Sequence, residues 1–375
     1  MKVLITGSEG FIGKNLSLQL CELNDISVVT FSRSQCASEL SSLLQDVDFV
    51  FHLAGINRPQ NPAEFITGNV ELTRLLASSI ADISQQTGKK IPILFTSSIH
   101  AEADTDYGCS KQQAENVLHA LNKSHDVPVF VCRLPGVFGK WCKPHYNSVV
   151  ATFCYNLAND QPILIDNPNY KLKLVYIDDV IARFIEVMRA RVDVLHDNTY
   201  IDVQPEYTLT LGELAETLKG FINSRETLVT ERVGNGLVRA LYSTYISYLP
   251  NEKFSYSITE HKDPRGRFVE VIKTPDSGQV SYFTAFPGVT RGGHYHHSKT
   301  EKFLVIKGTA KFKFRHLITD ERYEITTSDK HAEIVETIPG WVHDVTNVGT
   351  EELIAIVWAN ENFDPNTPDT ISSTL

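Results

Sequence analysis

Gly288-Val-Thr-Arg-Gly-Gly-His294-Tyr-His296-His297-Ser-Lys-Thr-Glu301-Lys-Phe-Leu-Val-Ile-Lys-Gly308 is the stretch from which the rest of the chain is read. His294 and His296 stand two apart, and on a strand such residues point to the same face. Two imidazoles on one face can share a metal. Glu301 follows a short polar loop and opens the apolar run Phe303-Leu-Val-Ile306, which ends at Gly308. The expectation is strand, turn, strand, with a carboxylate returning to the same face. Ile338-Pro-Gly-Trp-Val-His343-Asp-Val-Thr-Asn347 offers His343 after a Pro-Gly turn, at the start of another strand. Three imidazoles and a carboxylate suit zinc, and also manganese, iron or nickel. The expected metal ligands are His294, His296, Glu301 and His343, with Zn2+ as the metal. His297 points to the other face on this reading.

These two segments resemble the paired motifs of the cupin superfamily: Gly, His-x-His, Glu, Gly in the first and Pro-Gly, His, Asn in the second. The resemblance implies a small antiparallel β-barrel with the metal inside its mouth. Alternating runs such as Lys311-Phe-Lys-Phe-Arg315 and Glu352-Leu-Ile-Ala-Ile-Val-Trp358 agree with it.

A chain of 375 residues favours two domains. Its 42% hydrophobic and 10% aromatic content suits full cores. A net charge of −10 argues against nucleic acid as a general partner. The six cysteines (21, 36, 109, 132, 142 and 154) form no C-x-x-C pair and read as reduced thiols of a cytoplasmic protein. Met1 runs directly into Lys2-Val-Leu-Ile-Thr6 without a signal-peptide pattern, and no apolar run reaches membrane-spanning length. No membrane association is expected.

Outward from the metal region, the N-terminal strand flows into Thr6-Gly7-Ser-Glu-Gly10-Phe11-Ile12-Gly13 and a helix to about Glu22. The glycines permit a tight turn, close approach to a phosphate, and helix–strand packing. The free N–H groups at the helix start favour an anion. The second strand, Ser27–Phe31, ends in Ser32, Arg33 and Ser34, with no acid to take the ribose hydroxyls. These three can donate to a 2′-phosphate, so NADP(H) is the expected cofactor. Phe49-Val-Phe-His-Leu53-Ala54 ends in Gly55, and Asn69 opens a helical stretch through Ala81. Ile93-Leu-Phe-Thr-Ser97-Ser98 is followed by Tyr107-Gly-Cys-Ser-Lys111. Positions four apart share a helix face, so Lys111 can lie beside Tyr107 and lower its pKa by charge. With a hydroxyl from Ser98, the trio would donate a proton in carbonyl reduction.

The first roughly 240 residues resemble the extended short-chain dehydrogenase/reductase family of nucleotide-sugar enzymes. The resemblance rests on the glycine loop, His52-Leu-Ala-Gly55, Asn69, Ser98, Tyr107/Lys111, Arg133-Leu-Pro-Gly-Val-Phe-Gly139 and Val175-Tyr-Ile-Asp-Asp179. It implies a Rossmann-type doubly wound parallel sheet, catalytic Ser98, Tyr107 and Lys111, and a dinucleotide held by Gly7, Gly10, Phe11, Ile12, Gly13, Ser32, Arg33, Ser34, Leu53, Ala54, Gly55, Asn69, Tyr107 and Lys111. Ser97 competes with Ser98 for the catalytic role; the resemblance favours Ser98 as the last hydroxyl of the strand end. The loop from Ser98 to Tyr107 is short for the family, and Gly136 stands where relatives often have Asn. Lys140 and Lys143, in a basic aromatic loop, could meet a diphosphate or simply face solvent.

The order of parts, with Phe138-Gly-Lys-Trp-Cys-Lys-Pro, Tyr242-Ser-Thr-Tyr and Trp358-Ala-Asn-Glu, resembles the bifunctional capsule-synthesis enzymes of the UDP-N-acetyl-L-fucosamine pathway. The expected plan is residues 1–250 as reductase and 251–375 as cupin epimerase, a UDP-sugar substrate, and a homodimer through the cupin. Epimerisation at C3 needs a base, and Tyr295, His297, Lys302 and His316 are the candidates. A reductase with a structural cupin, or a non-enzymatic NADP sensor, are the alternatives.

Overall fold

The computed structural model describes residues 1–32, 35, 37–190 and 199–375. The chain divides into two compact units. One is Met1–Leu218 with Ala240–Leu249; the other is Lys219–Arg239 with Pro250–Leu375.

The first unit contains β1 (Lys2–Thr6), β2 (Ser27–Phe31), β3 (Phe49–His52), β4 (Ile93–Ser98), β5 (Val129–Leu134), β6 (Gly136–Phe138), β7 (Lys171–Tyr176), β8 (Thr199–Tyr200) and β9 (Tyr207–Thr210). Six of them form a parallel sheet in the order β2-β1-β3-β4-β5-β8. Residues Val3–Thr6, Phe49–His52 and Ile93–Ser98 are buried at every position. Such unbroken burial is the mark of a sheet covered on both faces. Burying one Leu or Phe fully is worth about 1.5–3 kcal/mol, and Leu4, Phe49, Phe51, Phe95 and Phe130 are all within 1% of full burial. The strand order reverses between β1 and β3, the position where open α/β sheets bind ligands. Helix Leu72–Thr87 stops at Gly88, whose φ of 76° suits a residue without Cβ. Helix Asp106–His125 starts at Thr105, whose hydroxyl accepts from the Gly108 N–H at 3.0 Å. β6, β7 and β9 form a small separate sheet.

The second unit holds β10 (Glu260–Asp263), β11 (Gly266–Lys273), β12 (Gln279–Ala285), β13 (Thr290–Tyr295), β14 (Glu301–Lys307), β15 (Thr309–His316), β16 (Arg322–Ser328), β17 (Ile334–Glu336), β18 (Trp341–Asn347), β19 (Leu353–Ala359) and β20 (Ile371–Ser372). They pair antiparallel as β10-β11-β12-β19-β14-β17 and β16-β15-β18-β13-β20. The expected antiparallel strands are present, arranged among the described residues as two sheets and not as one closed ladder. β15 alternates as read: Ala310, Phe312 and Phe314 are buried, while Lys311, Lys313 and Arg315 lie outward. With Phe283, Phe303, Val345, Leu353, Ala355 and Val357 they make one core drawn from both sheets.

Lys219–Arg239 packs with this unit through the strand β11. Lys273 N–H donates to Leu228 O at 2.7 Å, and Thr230 N–H to Lys273 O at 2.8 Å. Helix Gly236–Ile246 buries Leu241 and Tyr245. Among the described residues, no helix is long and apolar enough to cross a membrane.

Candidate active site and metal centre

Gly7 follows β1 with φ +74°, and a Cβ there would stand 2.6 Å from Ala54 N, directly after β3. A Cβ at Gly13 would stand 2.2 Å from Gly7 O. Glycine at both positions lets the first turn close against the switch point. Helix Phe11–Cys21 begins at Gly10 with no side-chain cap and no acidic residue in its first turn. Its orphan N–H groups are therefore left for an anion, and the cradle fits a dinucleotide diphosphate. Ser32 N–H donates to Gln35 Oε1 at 2.9 Å. Arg33 and Ser34 lie outside the described residues.

His52 is fully buried and tied at both ring nitrogens, to Thr6 Oγ1 at 2.7 Å and Thr73 Oγ1 at 2.8 Å. Thr73 gives its own proton to Asn69 O, so His52 donates from Nε2 and accepts at Nδ1. Burial, then the charge of Lys111, pushes its pKa down to about 3. His52 is thus a neutral strut that joins β1, β3 and the Asn69 helix. Asn69 lies in a π-helical turn, Ile66–Glu71, before the helix that runs to Thr87. Its amide clasps Ile56 N–H and C=O and donates to Ser110 Oγ at 2.9 Å.

Ser98, Tyr107 and Lys111 come from β4 and the first turns of helix Asp106–His125. Ser98 Oγ accepts from His100 N–H at 3.1 Å and stands near enough to the Tyr107 phenol to favour its ionised form. Ser97 turns away and hydrogen-bonds Glu115, which also holds Arg133 (Nη2–Oε2 2.7 Å) and the Tyr200 hydroxyl (3.2 Å). The strand alternation therefore separates the two serines: one joins Tyr107, the other a buried ionic tie. Lys111 is buried, donates from Nζ to Thr96 O at 2.9 Å, and lies 5.0 Å over the Phe95 ring. A Cβ on Gly55 would meet Nζ at 3.1 Å and Asn69 Oδ1 at 3.2 Å, so Gly55 leaves room for the amine.

The expected effect of Lys111 on Tyr107 needs correction. Burial raises the Tyr107 pKa, offset in part by the Ser98 hydrogen bond. Burial also pushes the Lys111 amine down to about 8, against the opposing charge of Glu115. Desolvation outweighs the helix-spacing argument here. The phenol keeps its proton at neutral pH, as a proton donor must. Lys140, a possible diphosphate contact, pairs with Asp178 at 2.6 Å.

In the second unit His294, His296, Glu301 and His343 converge, with one potential ligand atom from each lying within 4.8 Å of the others. His294 and His343 are directly opposite on β13 and β18. A bulge at Gly292/Gly293, with φ of +100° and +75°, shifts the register just before His294. His296 falls past the end of β13, so a turn and not strand alternation alone aims it. Glu301 opens β14, on the other sheet, and its Oε2 is 3.5 Å from both His296 Nε2 and His343 Nε2. His343 is the third residue of β18, with its Asn347 fastening the following turn to Ala285 O and Glu351 O.

His296 Nε2 and both ring nitrogens of His343 are buried without a hydrogen-bond partner. Buried imidazole nitrogens left so call for a ligand. Burial pushes His294 down to about 4. Burial raises Glu301, yet the two histidines and the Lys299 charge hold it well below the usual carboxylate range. A neutral His294 and an ionised Glu301 are states a divalent metal requires. The set fits zinc.

Sequence reasoning missed two residues. Lys299 is buried, with Nζ 3.3 Å from Glu301 Oε1. Asp369 contacts the His296–Lys299 turn from a segment some seventy residues on. The four base candidates lie in other settings. Lys302 pairs with Glu336, His316 accepts from Thr319 N–H, His297 is exposed, and Tyr295 faces the His297 ring at 5.6 Å.

The first unit has the fold of a dinucleotide-binding domain with Ser98, Tyr107 and Lys111 gathered at one strand end, and the β unit carries a histidine–carboxylate cluster. The chain belongs to the NAD dependent epimerase/dehydratase family, which matches residues 3–201; residues 261–371 match the polysaccharide biosynthesis C-terminal domain. It is 54% identical over 375 residues, all of this chain and 99% of the other, to a UDP-2-acetamido-2,6-beta-L-arabino-hexul-4-ose reductase of Pseudomonas aeruginosa. The capsular polysaccharide assembling protein CapF of Staphylococcus aureus has a crystal structure that matches with TM-score 0.91 and 40% identity, covering 100% of both chains. A UDP-glucuronic acid 4-epimerase of Bacillus cereus matches at 19% identity and TM-score 0.52 over 60% of this chain and 83% of its own, which is a likeness of fold.

Proposed function

We propose that this chain is a bifunctional nucleotide-sugar enzyme, with residues 1–250 as an NADPH-dependent reductase and 251–375 as a metal cupin epimerase. Its substrate is a UDP-4-keto-6-deoxy-N-acetylhexosamine. The cupin inverts C3, and the reductase then reduces the C4 ketone to UDP-2-acetamido-2,6-dideoxy-L-talose for capsule or O-antigen synthesis. The observation that carries the reading is the convergence of Ser98, Tyr107 and Lys111 at the end of β4, in a chain 54% identical to a named hexul-4-ose reductase.

NADPH supplies the hydride for C4. Tyr107 gives its phenolic proton to the carbonyl oxygen, Ser98 orients that oxygen, and Lys111 holds a positive charge close to the developing phenolate. Gly7, Gly10 and Gly13 leave room for the diphosphate, and Phe11 and Ile12 offer it helix-start N–H groups. His52 and Asn69 hold this frame rigid. In the cupin, His294, His296, Glu301 and His343 would hold Zn2+, which supplies Lewis acidity towards a C4 oxyanion or a tie between strands. A base removes the C3 proton α to the ketone, and a proton returns on the other face. Lys299, buried beside Glu301, joins the base candidates.

A single-activity reductase with a structural cupin is the second reading. The closed four-ligand set and the relative's name, which states only reduction, favour it. The protein acts as a cytoplasmic homodimer through the cupin on either reading.

The test uses metal-loaded protein and the 4-keto-6-deoxy UDP-sugar in heavy water. Deuterium at C3 without NADPH, followed by NADPH consumption, supports both activities. Consumption without C3 deuterium leaves the reductase alone. Neither signal removes the substrate assignment.

A further inference from the structure

We propose that Asp369 is a positioning residue of the metal centre: one aspartate, from the far C-terminal segment, fixes both the His296 ring and the turn that carries it. The inference rests on the metal reading above. Two independent sets of contacts from the same residue carry it.

The first set is the main chain. The Asp369 carbonyl accepts a hydrogen bond from His296 Nδ1. That contact makes Nδ1 the protonated nitrogen, so the lone pair of His296 is on Nε2, which faces Glu301 and has no other partner. Metal-bound histidines are oriented in this way by a carbonyl or carboxylate behind the ring.

The second set is the side chain. Oδ1 accepts from His297 N–H at 2.8 Å, and Oδ2 from Ser298 N–H at 2.7 Å and Lys299 N–H at 2.9 Å, with Ser298 Oγ at 3.2 Å. Three consecutive peptide N–H groups on one carboxylate are charge-assisted bonds that hold the turn in one conformation. The turn joins His296 to Glu301, and it includes Lys299, whose amine lies 3.3 Å from Glu301 Oε1. Without the anchor, two ligands and the lysine lose their fixed spacing.

The segment is itself pinned. Ile371 and Ser372 pair with Tyr295 and His294, and Ser373 N–H donates to Gly293 O at 2.9 Å. Arg315 reaches Thr374 O at 2.8 Å. The strap therefore closes over β13 and delivers Asp369 to the turn.

The test uses the full-length chain, stripped of metal and titrated with Zn2+ against a chromophoric chelator. Asp369→Ala keeps the main-chain carbonyl behind His296 but releases the turn, and should weaken zinc binding about 10–100-fold, the range for loss of the support behind metal ligands. Its Co2+ form should show an altered visible spectrum, and the metal-free variant should lose exchange protection at the His297, Ser298 and Lys299 amides. Asp369→Asn keeps one side-chain acceptor as well as the main-chain carbonyl that both variants retain, and should fall between. If Asp369→Ala does not fold, Asp369→Asn carries the comparison. Zinc affinity within twofold of the wild type in the folded variant, with an unchanged Co2+ spectrum, overturns the proposal alone. A wild-type chain that takes up no metal overturns the metal reading and the proposal with it.

Discussion

Replacing Lys111 with methionine should stabilise the first unit at neutral pH while ending its reductase activity. The amine is buried and pushed down from 10.5 to about 8, chiefly by burial. A displacement of that size corresponds to about 3 kcal/mol of disfavoured charge in the folded state. Methionine keeps the unbranched stem and removes the charge. It also strands the Thr96 carbonyl, which now accepts from Nζ at 2.9 Å, and a lost buried partner costs roughly 1–3 kcal/mol. The net gain at pH 7 is then about 0–2 kcal/mol, or up to roughly 8 °C in the melting temperature of a unit this size. The sign changes with pH in a defined way. Below pH 8 the folded and unfolded chains both carry the proton, so the whole cost is present in the wild type. Between pH 8 and 10.5 the folded chain sheds the proton first, so wild-type stability rises by about 3 kcal/mol and passes that of the variant, which lacks the Thr96 hydrogen bond. Tyrosine and cysteine titrations are common to both proteins and cancel in the difference. Calorimetry of the full chain at pH 7, and urea midpoints from pH 7 to 10.5, would read both effects. A variant less stable than wild type at pH 7, or a gap that stays constant through pH 10, would refute the burial argument.

Two further outcomes follow from the same site. Tyr107→Phe should lower NADPH oxidation by roughly 10²–10⁴-fold while UDP-sugar binding, followed by calorimetric titration, stays within a few-fold; normal turnover would remove Tyr107 from the proton-donor role. His52, neutral in the fold with its pKa at about 3 against 6.5 unfolded, takes up its proton first in the unfolded chain as pH falls. Stability should therefore drop by about 1–2 kcal/mol between pH 6.5 and 5, and His52→Gln should flatten that slope in urea midpoints; an equal slope in both would show that other groups set the acid limit.

Much of both sites was legible because their residues lie close together in sequence. The glycine loop, the Tyr107/Lys111 spacing and the His294/His296/Glu301 run are each contained in one turn or hairpin, so local geometry brings them together. Periodicity could not say which of Ser97 and Ser98 faces Tyr107, because both end the same strand and only the partner Glu115 separates them. It also gave the wrong direction for the Tyr107 pKa, since spacing tells of proximity and nothing of desolvation. His296 joins the cluster as read but lies one residue past β13, which ends at Tyr295, so the turn completes what strand alternation begins.

What stayed hidden has a common physical form. In each site a reactive group set by local spacing is locked by a main-chain carbonyl from elsewhere: Lys111 by Thr96 O across a sheet strand, and His296 by Asp369 O across the strap. A carbonyl carries no residue identity, so no motif marks it. The side chain at such a position is visible only when it does a second task, as the Asp369 carboxylate does in capping three N–H groups of the turn. The orphaned nitrogens of His296 and His343 show the same division from the other side. Spacing predicts that they meet, but only the folded surroundings show that nothing in the protein satisfies them, and that unmet demand, more than the histidine count, argues for a bound metal.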